Sequence, residues 1–389
     1  MPKVGGSLAP ATFWVAAGVI IWTFGLYPLT LFLRARLMRR PLVAEGCTPT
    51  VTIIVAAHNE EQVICAKLEN LRSLTYPREL YEVIIASDGS DDATNAIVEQ
   101  AGDSVLLLRL PRSGKAKALE AAASQARGEV LVFTDADSFV LPDALHALVS
   151  PFADPAVGGV ASHQRYRAVD GDDSDGERGY WAFEMLLKGL GSTAGSAIAA
   201  SGSLFAIRRR FFRPIPPGVN DDYFLSAGVV HQGSRLVYEP RAVVEVQPAG
   251  SLHDEFTRKV RVMSRAFRTE LYLKGLLNPR VHGFYSVQIL TQKILRRAAP
   301  VPLVALALSS LAASRRGLVY RLAAALQVVL YGAGIVGWVT HERLDGRLRR
   351  ALALPAYVLM VNVASAVALW NLIRGRRIDR WTKQRSRIL

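Results

Sequence analysis

The chain has 389 residues, half of them apolar and 21% charged, against about 25% charged in ordinary soluble domains. That composition can bury a core and excludes disorder, while 30 glycines and 19 prolines without an internal period exclude a collagen-like or repeat chain. A net charge of +14 points to nucleic acid or an anionic membrane surface, and the positions of the charges decide between them.

Residues 11–33 carry no charge, and as a helix they would reach roughly 34 Å, enough for a hydrocarbon core of about 30 Å. The run ends in Arg34, Arg36, Arg39 and Arg40, a cytoplasmic-anchor pattern. A cleaved signal peptide would have a shorter apolar stretch and a small-residue cleavage site, so a retained helix is expected. The two cysteines, Cys47 and Cys65, have neither metal-type spacing nor the numbers for a disulfide framework, which fits a reducing compartment.

Apolar runs rich in β-branched residues predict strands over 51–57, 81–87, 104–109 and within 128–137. They alternate with predicted helices over 62–74, 92–101, 114–126 and 142–149. Such alternation implies an α/β domain with a parallel sheet covered on both faces, whose ligands bind at the carboxyl ends of the strands. Polar residues gather at those ends: His58, Asn59 and Glu60, then Asp88, then Asp135 and Asp137.

Beyond the α/β region, residues 284–300 place Phe284, Val287, Leu290, Ile294 and Leu295 near one helical face, with Lys293, Arg296 and Arg297 at the end. This predicts an interfacial helix, with an ordinary surface helix as the alternative. Three uncharged runs follow, 298–314, 322–340 and 351–373, of 17, 19 and 23 residues. Four basic residues at 34–40 and seven at 374–389 place the excess charge beside membrane elements, so anionic lipid explains it better than nucleic acid.

Several motifs carry chemistry. Asp135 and Asp137 at a strand exit can share one hard divalent cation, Mg²⁺ or Mn²⁺, and the diphosphate it bridges; a solvated turn or helix cap is the other reading. Asp88 can accept from a base or ribose donor, with Ser90 or Asp91 capping the next helix. Gly114 and Lys115 at a helix start favour an anion. Ser201, Gly202 and Ser203 permit close backbone approach to a ligand, or a tight turn. Asp221 and Asp222 offer a general base for an acceptor hydroxyl, or a cap. Arg258, Arg261 and Arg265 fall near one helical face and could hold a diphosphate leaving group or face lipid.

The ordered set VAAHNE (55–60), SDGS (87–90), GKAKAL (114–119), TDAD (134–137), SGS (201–203), DD (221–222) and RKVRV (258–262) resembles the membrane-bound family-2 glycosyltransferases. These include synthases of hyaluronan, cellulose and poly-N-acetylglucosamine, and ceramide glucosyltransferases. The resemblance covers roughly residues 48–275 and implies an inverting enzyme: an α/β GT-A (Rossmann-like, nucleotide-sugar-binding) domain flanked by transmembrane helices. It implies that Ala57, Asn59, Glu60 and Asp88 line the uridine pocket, that Lys115 touches the nucleotide sugar, that Asp135 faces the donor and Asp137 the metal, and that Asp222 is the base. Asp221 stands where the family usually has Glu. Arg258 and Arg261 match the first and fourth positions of the Gln/Arg-x-x-Arg-Trp motif, and Arg265 extends the basic face. The fifth position is Val262 rather than Trp, which with the short membrane portion argues against long-polymer synthesis. The basic, Trp-containing end RGRRIDRWTKQR (374–385) is similar to tails of this group.

The expected organisation is an anchor over 1–47, a cytoplasmic catalytic domain over 48–275, an interfacial region over 276–297, a membrane region over 298–373 and a basic tail over 374–389. The expected activity is metal-dependent transfer from a UDP-sugar to a hydroxyl of a membrane lipid or lipid-linked glycan at the cell (inner) membrane. A processive exopolysaccharide synthase, a polyprenyl-phosphate glycosyltransferase and a non-catalytic nucleotide-sugar sensor are the alternatives. Counting Lys and Arg on each side favours a path in which 298–314 dips in without crossing and the C-terminus lies inside; four spanning helices are the alternative.

Overall fold

The computed structural model describes residues 8–42, 46–167, 175–247, 252–340 and 346–376. Its centre is one eight-stranded sheet: β1 (Val51–Ala57), β2 (Tyr81–Asp88), β3 (Leu106–Leu110), β4 (Val130–Thr134), β5 (Phe139–Val140), β6 (Val157–Tyr166), β7 (Leu204–Arg208) and β8 (Arg235–Val246). The strand order is β3-β2-β1-β4-β7-β6-β8-β5. Every residue of β1 and β4 is buried, as expected for strands covered on both faces. Alternation along β1 sends Ile53 and Val55 into one core and Ile54 and Ala56 into the other.

The first core lies under α2 (Ile64–Arg72), α3 (Thr94–Gln100) and α5 (Ala144–Val149). The second lies under α4 (Lys115–Gln125) and the later helix α7 (Asp221–His231). The four helices predicted from the sequence, α2 to α5, hold, with all ends but the last of α5 shortened by one or two residues, where helices fray.

The sheet is mixed: β6 pairs in parallel with β8, and two strands, β7 and β5, are reversed. β1 pairs in parallel with β2 and β4, and β2 with β3. β7 runs antiparallel to both β4 and β6, and β5 antiparallel to β8. The reversal has a consequence for the site. Leu204, the first residue of β7, pairs with Thr134, the last of β4. The Ser201–Gly202–Ser203 segment is therefore delivered to the strand exit that carries Asp135 and Asp137.

Around the sheet stand α1 (Leu8–Leu37), α6 (Asp175–Ala194), α8 (Leu252–Tyr272), a bent pair of helical segments (Phe284–Leu295 and Pro300–Ala312, the second being α9), α10 (Leu318–Val339) and α11 (Gly346–Ile373). Leu8–Leu37, Leu318–Val339 and Ala351–Ile373 are each long and apolar enough to cross a membrane. Their outward faces carry exposed apolar side chains such as Val15, Val328 and Ile373, which a bilayer would cover. The bent pair turns by 64°. It is tied to α1 by Trp22 Nε1, which donates to Thr291 Oγ1 (3.1 Å), and by Gln292 Nε2, which donates to the Tyr27 hydroxyl (2.5 Å). Most of the basic tail, residues 377–389, lies outside the described residues, as do 341–345 with Arg343.

Candidate active site

The carboxyl ends of β1, β2 and β4 open on one edge of the sheet, and Lys115 is the centre of what gathers there. Its Nζ lies 2.7 Å from Asp135 Oδ1 and 3.1 Å from Asp221 Oδ2. Burial works against its charge, but the Asp135 and Asp221 carboxylates outweigh it and hold the ammonium well above the usual lysine range. Lys115 opens α4 directly after Gly114, so the same point offers a helix N-terminus to an anion.

Gly202 separates the two acidic groups. A methyl group there would lie 3.3 Å from Asp135 Oδ2 and 3.6 Å from Asp222 Oδ2. Ser201 and Ser203 are held from behind by Gln164, whose Oε1 accepts from their hydroxyls at 2.5 and 3.3 Å. Asp222 sits in the first turn of α7 and accepts from the Tyr223 backbone N–H at 2.7 Å. Burial and then the adjacent Asp221 charge push its carboxyl up to about 6. A carboxylate near pH 6 is suited to proton transfer at neutral pH.

Asp137 reaches the open side of the turn. Loss of surrounding water and the like charge of Asp135 raise its pKa, a strain that a divalent cation between the two carboxylates would relieve. Among the described residues no three His, Cys, Asp or Glu side chains converge as a metal set. Asp135 and Asp137, the pair expected to hold the metal, are hard oxygen donors, which suit Mg²⁺ or Mn²⁺ completed by diphosphate oxygens and water.

The residues expected on the nucleotide side are assembled by loop-to-loop contacts. Asp88, at the end of β2, is fully buried. It accepts from Arg112 Nη1 at 2.7 Å and from the backbone N–H groups of Ser113 (2.6 Å) and Gly114 (2.9 Å). Its carboxylate thus fixes the loop that presents Lys115. Gly89 allows this contact: its φ is +63°, and a side chain there would meet the Arg112 backbone N at 2.8 Å. Asn59 has φ 56°, the one positive value among the described non-glycine residues. It donates to Asp91 from Nδ2 and to Ser90 from its backbone N–H, and the Glu60 N–H donates to Thr94 Oγ1. Ala57 is buried at the end of β1.

Of the three arginines singled out on α8, Arg258 is engaged by Glu255 through Nε (2.7 Å) and Nη2 (2.8 Å). Arg261 lies one turn further along the same helix. Burial lowers its pKa, as do the neighbouring charges of Arg265 and Arg258, while Asp135 acts in the opposite direction. Arg261 therefore shares the electrostatic surroundings of the acidic turn.

Two lysines escaped the sequence reading. Lys67 is fully buried beneath the acidic turn and donates to Thr134 Oγ1 (2.9 Å) and the Ser138 carbonyl (2.6 Å). Thr134 in turn donates to the Ser203 carbonyl at 2.7 Å. Burial pushes Lys67 down to about 7 against the pull of Asp135 and Asp137. A signal was present: Ile64, Lys67, Leu68 and Leu71 fall at i, i+3, i+4 and i+7, which puts a lysine inside an apolar stripe. Lys188 on α6 is also buried. Burial lowers it to about 8, with Glu184 and Asp222 opposing.

A family model described as Glycosyl transferase family 2 matches residues 52–215. A beta-monoglucosyldiacylglycerol synthase of Synechocystis is 32% identical over 160 residues, 38% of this chain and 33% of that protein. A poly-beta-1,6-N-acetyl-D-glucosamine synthase of Staphylococcus aureus is 25% identical over 255 residues, 62% of this chain and 61% of that protein. The chain thus spans a third of the first relative and about three fifths of the second. Among solved structures, a mannosyltransferase from Pyrobaculum calidifontis in complex with GDP-Man and Mn²⁺ superposes with a TM-score of 0.70 at 25% identity. That alignment covers 92% of this chain and 99% of the other. Residues 52–215, which include the strands and loops that carry the acidic turn, thus form a Glycosyl transferase family 2 domain, and nearly the whole chain has the GT-A fold.

Proposed function

We propose that the protein is an inverting glycosyltransferase that moves a sugar from a UDP-sugar to a hydroxyl of a membrane lipid or lipid-linked glycan. The observation that carries this reading is the convergence of Lys115, Asp135, Asp221 and Asp222 about Gly202 at the carboxyl edge of the sheet. Asp222 accepts the acceptor's hydroxyl proton. The freed oxygen attacks the anomeric carbon as the bond to the diphosphate oxygen breaks on the opposite face, which inverts the configuration. Lys115 and Arg261 offset the negative charge that develops on the diphosphate. Asp135 and Asp137 would hold Mg²⁺ or Mn²⁺, which supplies further positive charge at the diphosphate.

The glucosyldiacylglycerol synthase relative supports a lipid acceptor. Transfer of one or few sugars is supported by Val262, an aliphatic side chain at the position where processive relatives have Trp. A second reading of the donor, a GDP-sugar, is favoured by the Pyrobaculum mannosyltransferase, which was solved with GDP-Man.

The catalytic domain, 48–275, is placed in the cytoplasm, where nucleotide sugars are made, beneath a multi-pass inner-membrane portion. The 13-residue α9 (Pro300–Ala312) rises roughly 20 Å, less than a bilayer core of about 30 Å. This supports a re-entrant segment and an inside C-terminus. A periplasm-only reporter fused after Leu389 should be silent, and activity there would restore the fully spanning path. For the function itself, membranes containing the chain should convert one of a panel of UDP- and GDP-sugars into a new glycolipid visible by mass spectrometry. A polymer ladder or no product with any donor would contradict the reading.

A further inference from the structure

A second basic site lies on the other end of α7 from Asp222. A cleft of about 340 Å³ is lined by Arg34 and Arg40 from the end of α1 and the segment after it, by Arg235 at the start of β8, and by His282 and Phe284 before the bent pair. Asp222 and Val230, which lines this cleft, are eight residues apart on one helix, roughly 12 Å along its axis. The lining holds no Asp or Glu.

The basic groups are held without counter-ions. Arg235 Nε donates to the Gly195 carbonyl at 2.9 Å and Nη2 to the Arg40 carbonyl at 2.9 Å. This fixes the guanidinium by neutral acceptors alone, and among the described residues neither Arg235 nor Arg40 has a carboxylate at ion-pair distance. Arg34 stacks over the Phe284 ring at 4.7 Å, and its buried Nε has no hydrogen-bond partner among the described residues. Burial lowers the Arg235 pKa, Asp154 opposes it, and Arg40 adds like-charge repulsion. Such a cluster is completed by an anion, and guanidinium forks match phosphate. The cleft volume falls within the range of small-molecule sites.

Its position selects the anion's source. Arg34 is in the last turn of the first membrane-length helix, and Leu37, Met38 and Val281 beside it expose 81%, 56% and 69% of their surface. Apolar exposure next to a basic cleft at a helix end is the arrangement that seats an acyl chain and its headgroup together. We propose that this cleft binds the phosphate of an anionic glycerolipid headgroup, at a site separate from the catalytic one and independent of which sugar or acceptor the enzyme uses.

The test uses the full chain in mild detergent. Native mass spectrometry should show retention of phosphatidylglycerol over phosphatidylcholine. Arg40→Gln should weaken that retention about tenfold, the scale of one lost charge-assisted hydrogen bond, and Arg34→Gln gives an independent second reading. Arg39→Gln removes the same charge one residue away from a side chain that does not line the cleft, and should leave retention unchanged. Equal losses for Arg39→Gln and Arg40→Gln would reduce the effect to general surface charge and overturn the site. Thermal stabilisation by inorganic phosphate or glycerol phosphate, with none by phosphatidylglycerol, would overturn the lipid assignment.

Discussion

Lys115 Nζ stands 2.7 Å from Asp135 Oδ1, and the same ammonium reaches Asp221 on α7 at 3.1 Å. One cation thus joins the strand exit expected to face the donor to the helix expected to carry the base. Lys115→Met keeps the length of the side chain and leaves Asp135, Asp221 and Asp222 as neighbouring acids without it. Nucleotide-sugar turnover should fall by about 10²-fold or more, the scale of a lost electrostatic stabiliser. The acid limb of the pH profile should move upward, because Lys115 favours ionised Asp222. An unmoved limb would separate Lys115 from the base.

Asp222 gives a pH dependence with a definite sign. Its folded pKa, about 6, lies above that of an unfolded aspartate, about 3.9. As a base it must be ionised, so kcat/KM should rise with pH through about 6 and level off above. The same shift means that the fold disfavours the ionised form: the chain loses stability as pH rises from about 4 through 6. Asp222→Asn should therefore lower turnover by about 10²–10⁴ and raise Tm at pH 7. That gain should vanish near pH 4, where the wild-type group is protonated. Thermal melts at both pH values check the sign. An inactive Asp221→Asn beside an active Asp222→Asn would exchange the two roles.

Lys67→Met tests how the acidic turn is held. The change removes two donors, to Thr134 and Ser138, but also a fully desolvated charge, so the stability change should be small or favourable. Activity should still drop about tenfold or more, because positioning errors near 1 Å in a site can cost 10²-fold. Loss of folding together with activity would make Lys67 a purely structural residue.

The sheet and the site differ in how far the sequence reveals them. β1, β2 and β4 are legible because strands buried on both faces are continuous apolar runs, and Asp88, Asp135 and Asp137 are legible because they interrupt such runs at their ends. The reversal of β7 is not, since LFAIR reads alike in either direction and only its pairing with β4 sets the sense. Asp88 reads as a ligand-facing acid. Its commitment to Arg112, Ser113 and Gly114 depends on a contact across 24 to 26 residues that local pattern does not encode. Gly202 reads equally as a turn. Its place between Asp135 and Asp222 emerges only when two distant segments meet.

Gly202→Ala puts a methyl group into that gap, 3.3 Å from Asp135 Oδ2. The contact is with the end of a side chain, which can yield, so folding should be intact. The methyl group takes space between the two acids, and KM for donor or acceptor should rise with little change in Tm. Unchanged kinetics would place the reacting groups elsewhere.

Metal dependence is tested by chelation. Activity should disappear with a chelator and return with Mn²⁺ or Mg²⁺. Asp137→Ala should need a higher metal concentration for the same rate, as a two-carboxylate site loses one ligand. Full turnover in chelator would remove the metal from the account.

Inverting transfer at the Lys115–Asp135–Asp222 site would set the anomeric configuration of the product. The purified full chain, given the α-linked nucleotide sugar it accepts and a lipid hydroxyl acceptor, should release nucleoside diphosphate and yield a β-linked glycoside by NMR. Asp222→Asn should abolish both while still binding the donor. An α-linked product, or full transfer by Asp222→Asn, would contradict the account.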